Sequence, residues 1–477
     1  MDDARREKTV EAMIDSDLDA GEAPPPDASG LWSPSRRSLT AGLILTVTLF
    51  AAESLAVITI LPLVANDLGG LALYGFVTSA FFLGTLVGIV IGGREADRRG
   101  PGSVYLGGLA LFTAGLLLCG SATSMIVVVI GRAIQGLGAG TIPSIEYAVI
   151  GRAYPERVRP RMFALLSTAW VAPGLIGPSV SALVAERASW RLIFLGIVPL
   201  VVLAALLCGR ALWSFSPLPA GDQVPHRIAD VLRVAAGTGC VLAGLERREP
   251  WLALGLLLLG CVIGVGPLRR LLPPGTVRAR SGLPVVVLTR GLLTFAFFGA
   301  DAFVPLLITS VRGQSAAAAG IAVTGATMAW TAGTWTQERL AVRWSSRRMV
   351  VMGLGFLVLG IMGVGSGLSA ALPLWVPIVA WGIGGFGMGL AYPCLSVLLL
   401  SEGPPESRGH AAASFNLADN LGVALGAGAG GAAVAWGAAT TWSSRGGLAV
   451  TFATMALVGA IALLVATRLP SRTVPRT

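Results

Sequence analysis

Residues 39–65 read LTAGLILTVTLFAAESLAVITILPLVA, and the only ionisable side chain in these 27 positions is Glu53. At about 1.5 Å of rise per residue, a helix of this length exceeds the ~30 Å hydrocarbon layer of a bilayer. Similar runs follow at 71–92, 103–121, 125–149, 163–185, 192–212, 228–245, 251–268, 285–309, 316–335, 349–367, 372–400, 411–436 and 447–468, making fourteen spans. The short pair 228–245 and 251–268 brackets Glu246-Arg247-Arg248-Glu249. If that pair were a re-entrant hairpin, twelve spans would remain, and both chain ends would still share one side. Of the 477 residues, 54% are apolar and 13% charged, against roughly 25% charged in soluble domains. These runs therefore predict an all-α integral membrane protein.

Outside the spans, residues 1–37 hold nine of the 25 acids, a Pro24-Pro25-Pro26 run and no apolar stretch, which predicts a disordered polar tail and no signal peptide. The tail has five basic residues and the remainder 30. Basic residues flanking spans resist translocation. On the N-terminal side of the fourteen-span layout lie 28 Lys and Arg, with Arg290 counted in the loop 269–290; the other side has six (Arg187, Arg191, Arg247, Arg248, Arg312, Arg445), and Arg132 lies within a span. Both termini are thus expected in the cytoplasm, with the chain in the cell's cytoplasmic (inner) membrane. The formal charge of +10 follows from this bias and is scattered singly between apolar runs, so no nucleic acid partner is expected. The five cysteines (Cys119, Cys208, Cys240, Cys261, Cys394) have no metal-ligand spacing and are expected to pack in the core.

The two ends of the chain repeat one another. Phe50-Ala51-Ala52-Glu53 in span 1 matches Phe298-Gly299-Ala300-Asp301 in span 9. Gly136-Leu137-Gly138-Ala139-Gly140 leads to Pro143 and Glu156, as Gly385-Phe386-Gly387-Met388-Gly389 leads to Pro393 and Glu406, with 13 residues from Pro to Glu in both. Two six-span halves are implied, 38–212 and 285–468, with a linker region 213–284 that carries two inserted spans, and short tails at 1–37 and 469–477.

Ionisable groups inside hydrocarbon are costly, at least ~2.5–3.5 kcal/mol each on insertion scales, and so mark function by default. Those read here are Glu53, Arg132, Asp301 and Asp419, with Glu146 near a boundary. Glu53 lies about 21 Å from the start of span 1 and Arg132 about 10 Å from the far-side start of span 4, at similar depth. An acid beside an arginine in a desolvated setting can load and unload a proton, so Glu53 is expected to carry it, with Arg132 and Asp301 as further coupling groups. A fixed ion pair, or direct contact with a cationic substrate, are the other readings of these acids. Asn416, Asp419 and Asn420 share neighbouring parts of one helical face, and with Gln135 and Trp170 are expected to line a substrate cavity. Glu146 is expected to reach Arg152 or Arg157, and Trp190, Trp251, Trp375 and Trp442 to anchor at the far interface. Trp170, Trp330, Trp381 and Trp436 fall inside spans, where lining an aromatic pocket is one reading and packing within the spans is the expectation for any one of them. The two histidines, His226 and His410, have no nucleophile motif or phosphate-binding loop beside them, which argues against an enzyme.

The loop after span 2, Gly93-Arg94-Glu95-Ala96-Asp97-Arg98-Arg99-Gly100-Pro101-Gly102, predicts a tight turn in which Asp97 accepts from the next helix or pairs with an Arg across the halves. Its Gly-x-x-x-Asp-Arg-x-Gly pattern, on Gly93, Asp97, Arg98 and Gly100, resembles the signature loop of the major facilitator superfamily; Pro101 and Gly102 stand where that family usually has basic residues. Arg132-Ala133-Ile134-Gln135-Gly136-Leu137-Gly138 is similar to the Arg-x-x-Gln-Gly-x-Gly motif of proton-coupled members. Trp190-Arg191-Leu192-Ile193-Phe194 followed by Pro199 is similar to the opening of span 6 in drug:proton antiporters. Pro173-Gly174-Leu175-Ile176-Gly177-Pro178 resembles the span 5 antiporter motif, with Ser181 where paired glycine is usual, and Glu53 to Pro62 fits the acid-to-proline spacing of span 1 in fourteen-span antiporters.

The resemblance covers roughly 39–468 and implies the superfamily fold: two six-helix halves plus two inserted helices. It implies a conformational-switch loop at Gly93–Gly100 and a hinge at Pro173, Gly174, Gly177 and Pro178. It also implies a monomeric, proton-coupled exporter of lipophilic or cationic small molecules, with no cofactor besides the coupling protons. Export of a lipid or secondary metabolite made by the cell is the neighbouring reading; a non-transporting membrane sensor is the reading from another class.

Overall fold

The computed structural model describes residues 30–213, 226–341, 343–402, 408–440 and 443–471. Residues 1–29 of the tail predicted at 1–37, and Trp442, lie outside these residues, and Arg37 already opens the first helix. Spans 1 to 4 are the helices Arg37–Leu68, Tyr74–Arg99, Pro101–Gly120 and Met125–Ala153. Span 5 has two pieces, Arg159–Thr168 and Val171–Arg187, and span 6 also has two, Arg191–Leu195 and Val198–Leu212. The inserted spans 7 and 8 are His226–Glu246 and Pro250–Leu271, with lengths of about 31 and 33 Å as helices of 21 and 22 residues. Neither is a short hairpin. Spans 9 to 14 are Leu283–Asp301, Ala316–Leu340, Ser346–Ser366, Trp375–Glu402, Arg408–Ala439 and Ser443–Ala466. Thirteen of the fourteen are long and apolar enough to cross a bilayer. Span 10 falls short because five threonines and Gln337-Glu338-Arg339 lower its hydropathy.

Helices are forced here because every backbone group in hydrocarbon must be satisfied within its own segment. Hydroxyls follow the same rule by bonding back to their own helix, as Thr46 Oγ1 does to the Gly42 carbonyl at 2.9 Å and Thr289 Oγ1 to that of Val285 at 2.7 Å. The three interrupted spans share one cause. Pro173, Pro199 and Pro305 lack the N–H that the carbonyl four residues earlier requires, and their rings occupy its place. The breaks fall at 169–170, 196–197 and 302–303, each beside the carbonyl so deprived. After the third, the chain resumes as Val304–Leu306 and a single π turn, Leu307–Val311. The hinge residues of span 5 need correction on this point. Pro178 stays inside Val171–Arg187, and the bend lies upstream of all four predicted positions.

Glycine explains the packing of the repeat. A Cβ on Gly136 or Gly140 would meet the carbonyls of Phe81 and Thr85 in span 2, while one on Gly138 would lie 2.5 Å from the Phe112 nitrogen in span 3. In the other half, Gly385 and Gly389 face the carbonyls of Ala326 and Trp330 in span 10, and Gly387 faces Gly353 in span 11. Alternate glycines of spans 4 and 12 thus receive two neighbours each in the same way, so the sequence repeat is a repeat of helix packing.

The halves meet through spans 2 and 13 and through spans 5 and 10. Tyr74 Oη donates to the Ala302 carbonyl at 3.1 Å, in the break after span 9, and Ser79 Oγ donates to that of Ala424 at 2.7 Å. Ser179 and Thr324 hydroxyls lie 3.3 Å apart, and Glu186 Oε1 accepts from the Ala317 amide at 3.2 Å. All four contacts lie toward the side opposite the N-terminus. The inserted pair rests on one of these seams, with Val231 and Val234 of span 7 clustered with Leu86, Leu417 and Leu421 of spans 2 and 13. Trp436 Nε1 donates to the Leu245 carbonyl at 3.2 Å and ties span 7 to span 13.

Candidate functional site

Glu53 is fully buried, and Arg132 in span 4 is 3% exposed. The Arg132 guanidinium donates to Glu53 Oε1 and, at 3.2 Å, to Gln135 Oε1, while Gln135 Nε2 donates to Glu53 Oε1 at 3.2 Å. Positions 132 and 135 are one turn apart, so both reach the same acid on span 1. The Phe81 ring lies 4.1 Å from the guanidinium carbon. Polar capacity is left over: among the described residues, Glu53 Oε2 and Arg132 Nε have no hydrogen-bond partner. Gln135 is also fully buried, so it completes the ion pair and does not form a cavity wall.

Asp301 ends the first part of span 9, is 5% exposed, and accepts from Trp381 Nε1 at 2.9 Å. The alignment of Gly136 with Gly385 sets Arg132 opposite Trp381 in the repeat. The two acids therefore keep corresponding places on corresponding helices, but one has an arginine donor and the other an indole. Among the described residues no ion pair is made by Asp301.

Asp419 is part of a cluster that includes a residue missed in the sequence. Arg290 Nε donates to Asp419 Oδ1 at 2.6 Å, its Nη1 donates to the Tyr392 carbonyl at 3.2 Å, and Tyr392 Oη approaches Asp419 Oδ2 at 3.4 Å. The guanidinium carbon is 3.1 Å from the Tyr392 ring centroid and 4.6 Å from that of Phe415. Arg290 is 4% exposed and lies seven residues inside span 9, not in the preceding loop. Reassigning it leaves 27 basic residues on the N-terminal side against six, with two in spans, so the charge bias survives. The apolar run Leu283–Leu288 before it was the available signal.

The other predicted cavity residues do not assemble. Asn416 is exposed, Asn420 is buried and bonds back to the Asn416 carbonyl at 2.8 Å, and Trp170 is about half exposed at the break in span 5. An aromatic ladder occupies the C-terminal half instead. From Tyr392 the ring centroids step 5.4 Å to Trp330, 5.3 Å to Phe297 and 5.0 Å to Trp381, which holds Asp301. Phe298 also touches Trp330, and Phe82 of the N-terminal half approaches Phe298 at 6.4 Å.

In the signature loop, Gly100 has φ +86° and ends span 2, a conformation that favours glycine. Gly93 lies within the helix, Arg98 pairs with Glu95 one turn back at 3.4 Å, and the side chain of Asp97 is outside the described residues. Gly102 lies in span 3, where its Cβ would stand 2.7 Å from the Leu212 carbonyl. Gly174 abuts Thr327 across the halves, whereas Gly177 faces open space. Three expectations fail. Glu146 is buried, its Oε1 has no hydrogen-bond partner, and it forms no described ion pair with Arg152 or Arg157. Trp190 is 5% exposed and donates to Asp67 at 2.9 Å, binding spans 1 and 6 together instead of anchoring at the interface. Cys261 is exposed, on a span whose outer face is broadly uncovered.

The sequence profile of the Major Facilitator Superfamily matches residues 42–427. The chain belongs to that superfamily. It is 29% identical over 451 residues to a Mycobacterium tuberculosis protein named "Probable multidrug-efflux transporter", covering 90% of this chain and 94% of that one. It is 24% identical over 410 residues to a multidrug transporter protein of Bacillus subtilis, covering 82% and 74% of the two chains. Among solved structures, a D-xylose–proton symporter superposes with a TM-score of 0.67 at 16% identity, over 92% of this chain and 99% of that one. This superfamily member is thus a multi-pass membrane transporter and not an enzyme, with the superfamily's paired halves and two added helices.

Proposed function

We propose that this transporter exports lipophilic or cationic small molecules in exchange for protons, as a monomeric multidrug efflux antiporter of the cytoplasmic membrane with both termini in the cytoplasm. The observation that carries the reading is the buried Glu53–Arg132–Gln135 cluster, one acid held between an arginine and an amide with an unpartnered oxygen left over. A proton arriving from outside neutralises Glu53 and removes the attraction that fixes span 1 to span 4. Arg132 retains Gln135 and the Phe81 face, which lower the cost of leaving its charge without the carboxylate. The names of the relatives in Mycobacterium and Bacillus support drug export.

Rocking of the two halves about the central seam exposes the cavity to each side in turn. The contacts of Tyr74, Ser79, Ser179 and Glu186 then form the closure on the outer side. For a neutral cargo, an elementary charge crossing 100 mV supplies about 2.3 kcal/mol toward uphill export, whereas one-for-one exchange with a monovalent cation moves no net charge and draws on the pH difference alone. The test is a liposome loaded with a pH-sensitive dye and carrying the purified protein. Addition of a lipophilic cation is expected to move protons in the wild type and not in Glu53→Gln. Transport of the cation without proton movement in the wild type would refute the coupling.

A further inference from the structure

Arg290 is a cation enclosed by the groups that recognise organic cations. Its charge is met by the Asp419 carboxylate at 2.6 Å, and its plane by the Tyr392 ring at 3.1 Å and the Phe415 ring at 4.6 Å. An acid flanked by aromatic faces is the arrangement that binds quaternary and planar cations. A structural ion pair alone needs no such rings. The pair is also unequally covered: the Arg290 side chain is 4% exposed and that of Asp419 20%, so the acid presents an open side to an incoming ligand. Trp330 continues the aromatic surface at 5.4 Å from Tyr392. Asn416, exposed one turn nearer the cytoplasmic start of span 13, marks the approach.

The geometry points to a binding site for planar or quaternary organic cations between spans 9, 12 and 13, formed by Asp419, Tyr392 and Phe415, in which Arg290 is the resident occupant of the unloaded carrier. It rests on the proposal that cations are among the cargo and adds where they bind and what they must displace. A ligand takes over the aromatic faces and the carboxylate, and the guanidinium swings to the Tyr392 backbone carbonyl, to which it already donates at 3.2 Å. Arg290 thereby lowers the affinity for every cation equally, and its departure is a step of loading. Neutral amphiphiles have no competitor in it.

Equilibrium binding to the full-length protein in detergent, without any ion gradient, tests this apart from proton coupling. Ethidium is the planar cation and Nile red the neutral control. Arg290→Gln is expected to bind ethidium at least tenfold more tightly, about 1.4 kcal/mol, with Nile red unchanged; Arg290→Lys, which retains the charge, is expected to stay near the wild type. Asp419→Asn is expected to weaken ethidium at least tenfold, alone and combined with Arg290→Gln. Unchanged or weaker ethidium binding by a folded Arg290→Gln overturns the proposal. If that variant does not fold, Asp419→Asn decides: ethidium affinity equal to the wild type overturns it, and selective loss supports it. A wild type that binds and transports Nile red but no cation overturns the cation site while leaving export intact.

Discussion

Replacing Glu53 or Arg132 separates an ion pair that cannot reach water, and the structure sets the size of the effect. With the two side chains 0% and 3% exposed, removal of either partner leaves the other charge uncompensated, at a cost of about 3–5 kcal/mol. The variants are not equivalent. Glu53→Ala leaves Arg132, which cannot shed its proton, with only the Gln135 amide and the Phe81 ring, whereas Arg132→Ala leaves an acid that can protonate beside Gln135, so the glutamate variant is expected to be the less stable. Glu53→Gln keeps an acceptor for the guanidinium and is expected to cost about 1–3 kcal/mol, the scale of a charged hydrogen bond reduced to a weaker one. The double variant Glu53→Ala/Arg132→Ala strands no charge. It is expected to be more stable than the sum of the single losses by about 2–3 kcal/mol, at the upper end of measured coupling energies. Equilibrium unfolding in mixed micelles, followed by tryptophan fluorescence, gives the four free energies of the cycle. Additivity within about 0.5 kcal/mol would refute the reasoning, since a proton on Glu53 cannot release a partner that does not sense its charge.

Three further outcomes follow from single contacts. Tyr74→Phe removes the hydrogen bond to Ala302 that bridges the halves; at about 0.5–1.5 kcal/mol it is expected to shift the carrier toward the outward-open form, read as a longer spin-label distance between spans 2 and 13 on the outer side. Gly138→Ala sets a Cβ 2.5 Å from the Phe112 nitrogen, a backbone atom that cannot turn aside, while Gly107→Ala on span 3 meets nothing within 4 Å; the first is expected to lose about 1–3 kcal/mol and the second to unfold like the wild type in the same micelle assay. Pro173→Ala restores the N–H that the Ala169 carbonyl lacks, and is expected to extend helical protection through 169–170 in hydrogen exchange; unchanged exchange there would refute the assignment of the break to Pro173.

The spans were legible in the sequence because lipid demands uninterrupted apolar helices, and the repeat because glycine is required wherever two backbones touch. The breaks in spans 5, 6 and 9 were partly legible. Proline marked them, but the bend lies at the deprived carbonyl upstream and not at the ring. The Glu53–Arg132 contact followed from depth along two helices. Arg290 was counted with the preceding loop although the apolar run Leu283–Leu288 already places it inside span 9; what the sequence could not show is its partner Asp419, 129 residues away. Asn416, Asp419 and Asn420 failed as one stripe for a related reason. Neighbouring angles on a helix diverge once spans 9 and 12 take Asp419 while Asn420 turns to its own backbone.

The repeat also shows how the halves have come to differ. Corresponding acids stand at Glu53 and Asp301, and corresponding donors at Arg132 and Trp381. An arginine brings a full countercharge to Glu53, and in the proposed antiport the protonation state of that acid then governs whether spans 1 and 4 hold together. An indole brings only one N–H, so Asp301 has a donor without a countercharge, and the Trp381 ring continues the ladder through Phe297 and Trp330 to Tyr392. One half thus concentrates its polar groups into a compact ion pair suited to a proton. The other spreads aromatic surface between two acids, Asp419 nearer the side of the N-terminus and Asp301 nearer the opposite side, as the proposed site for a flat cation uses. In the proposed antiport, coupling then requires no contact between proton and cargo: both bear on the same rocking motion, through span 1 in one half and spans 9 and 13 in the other.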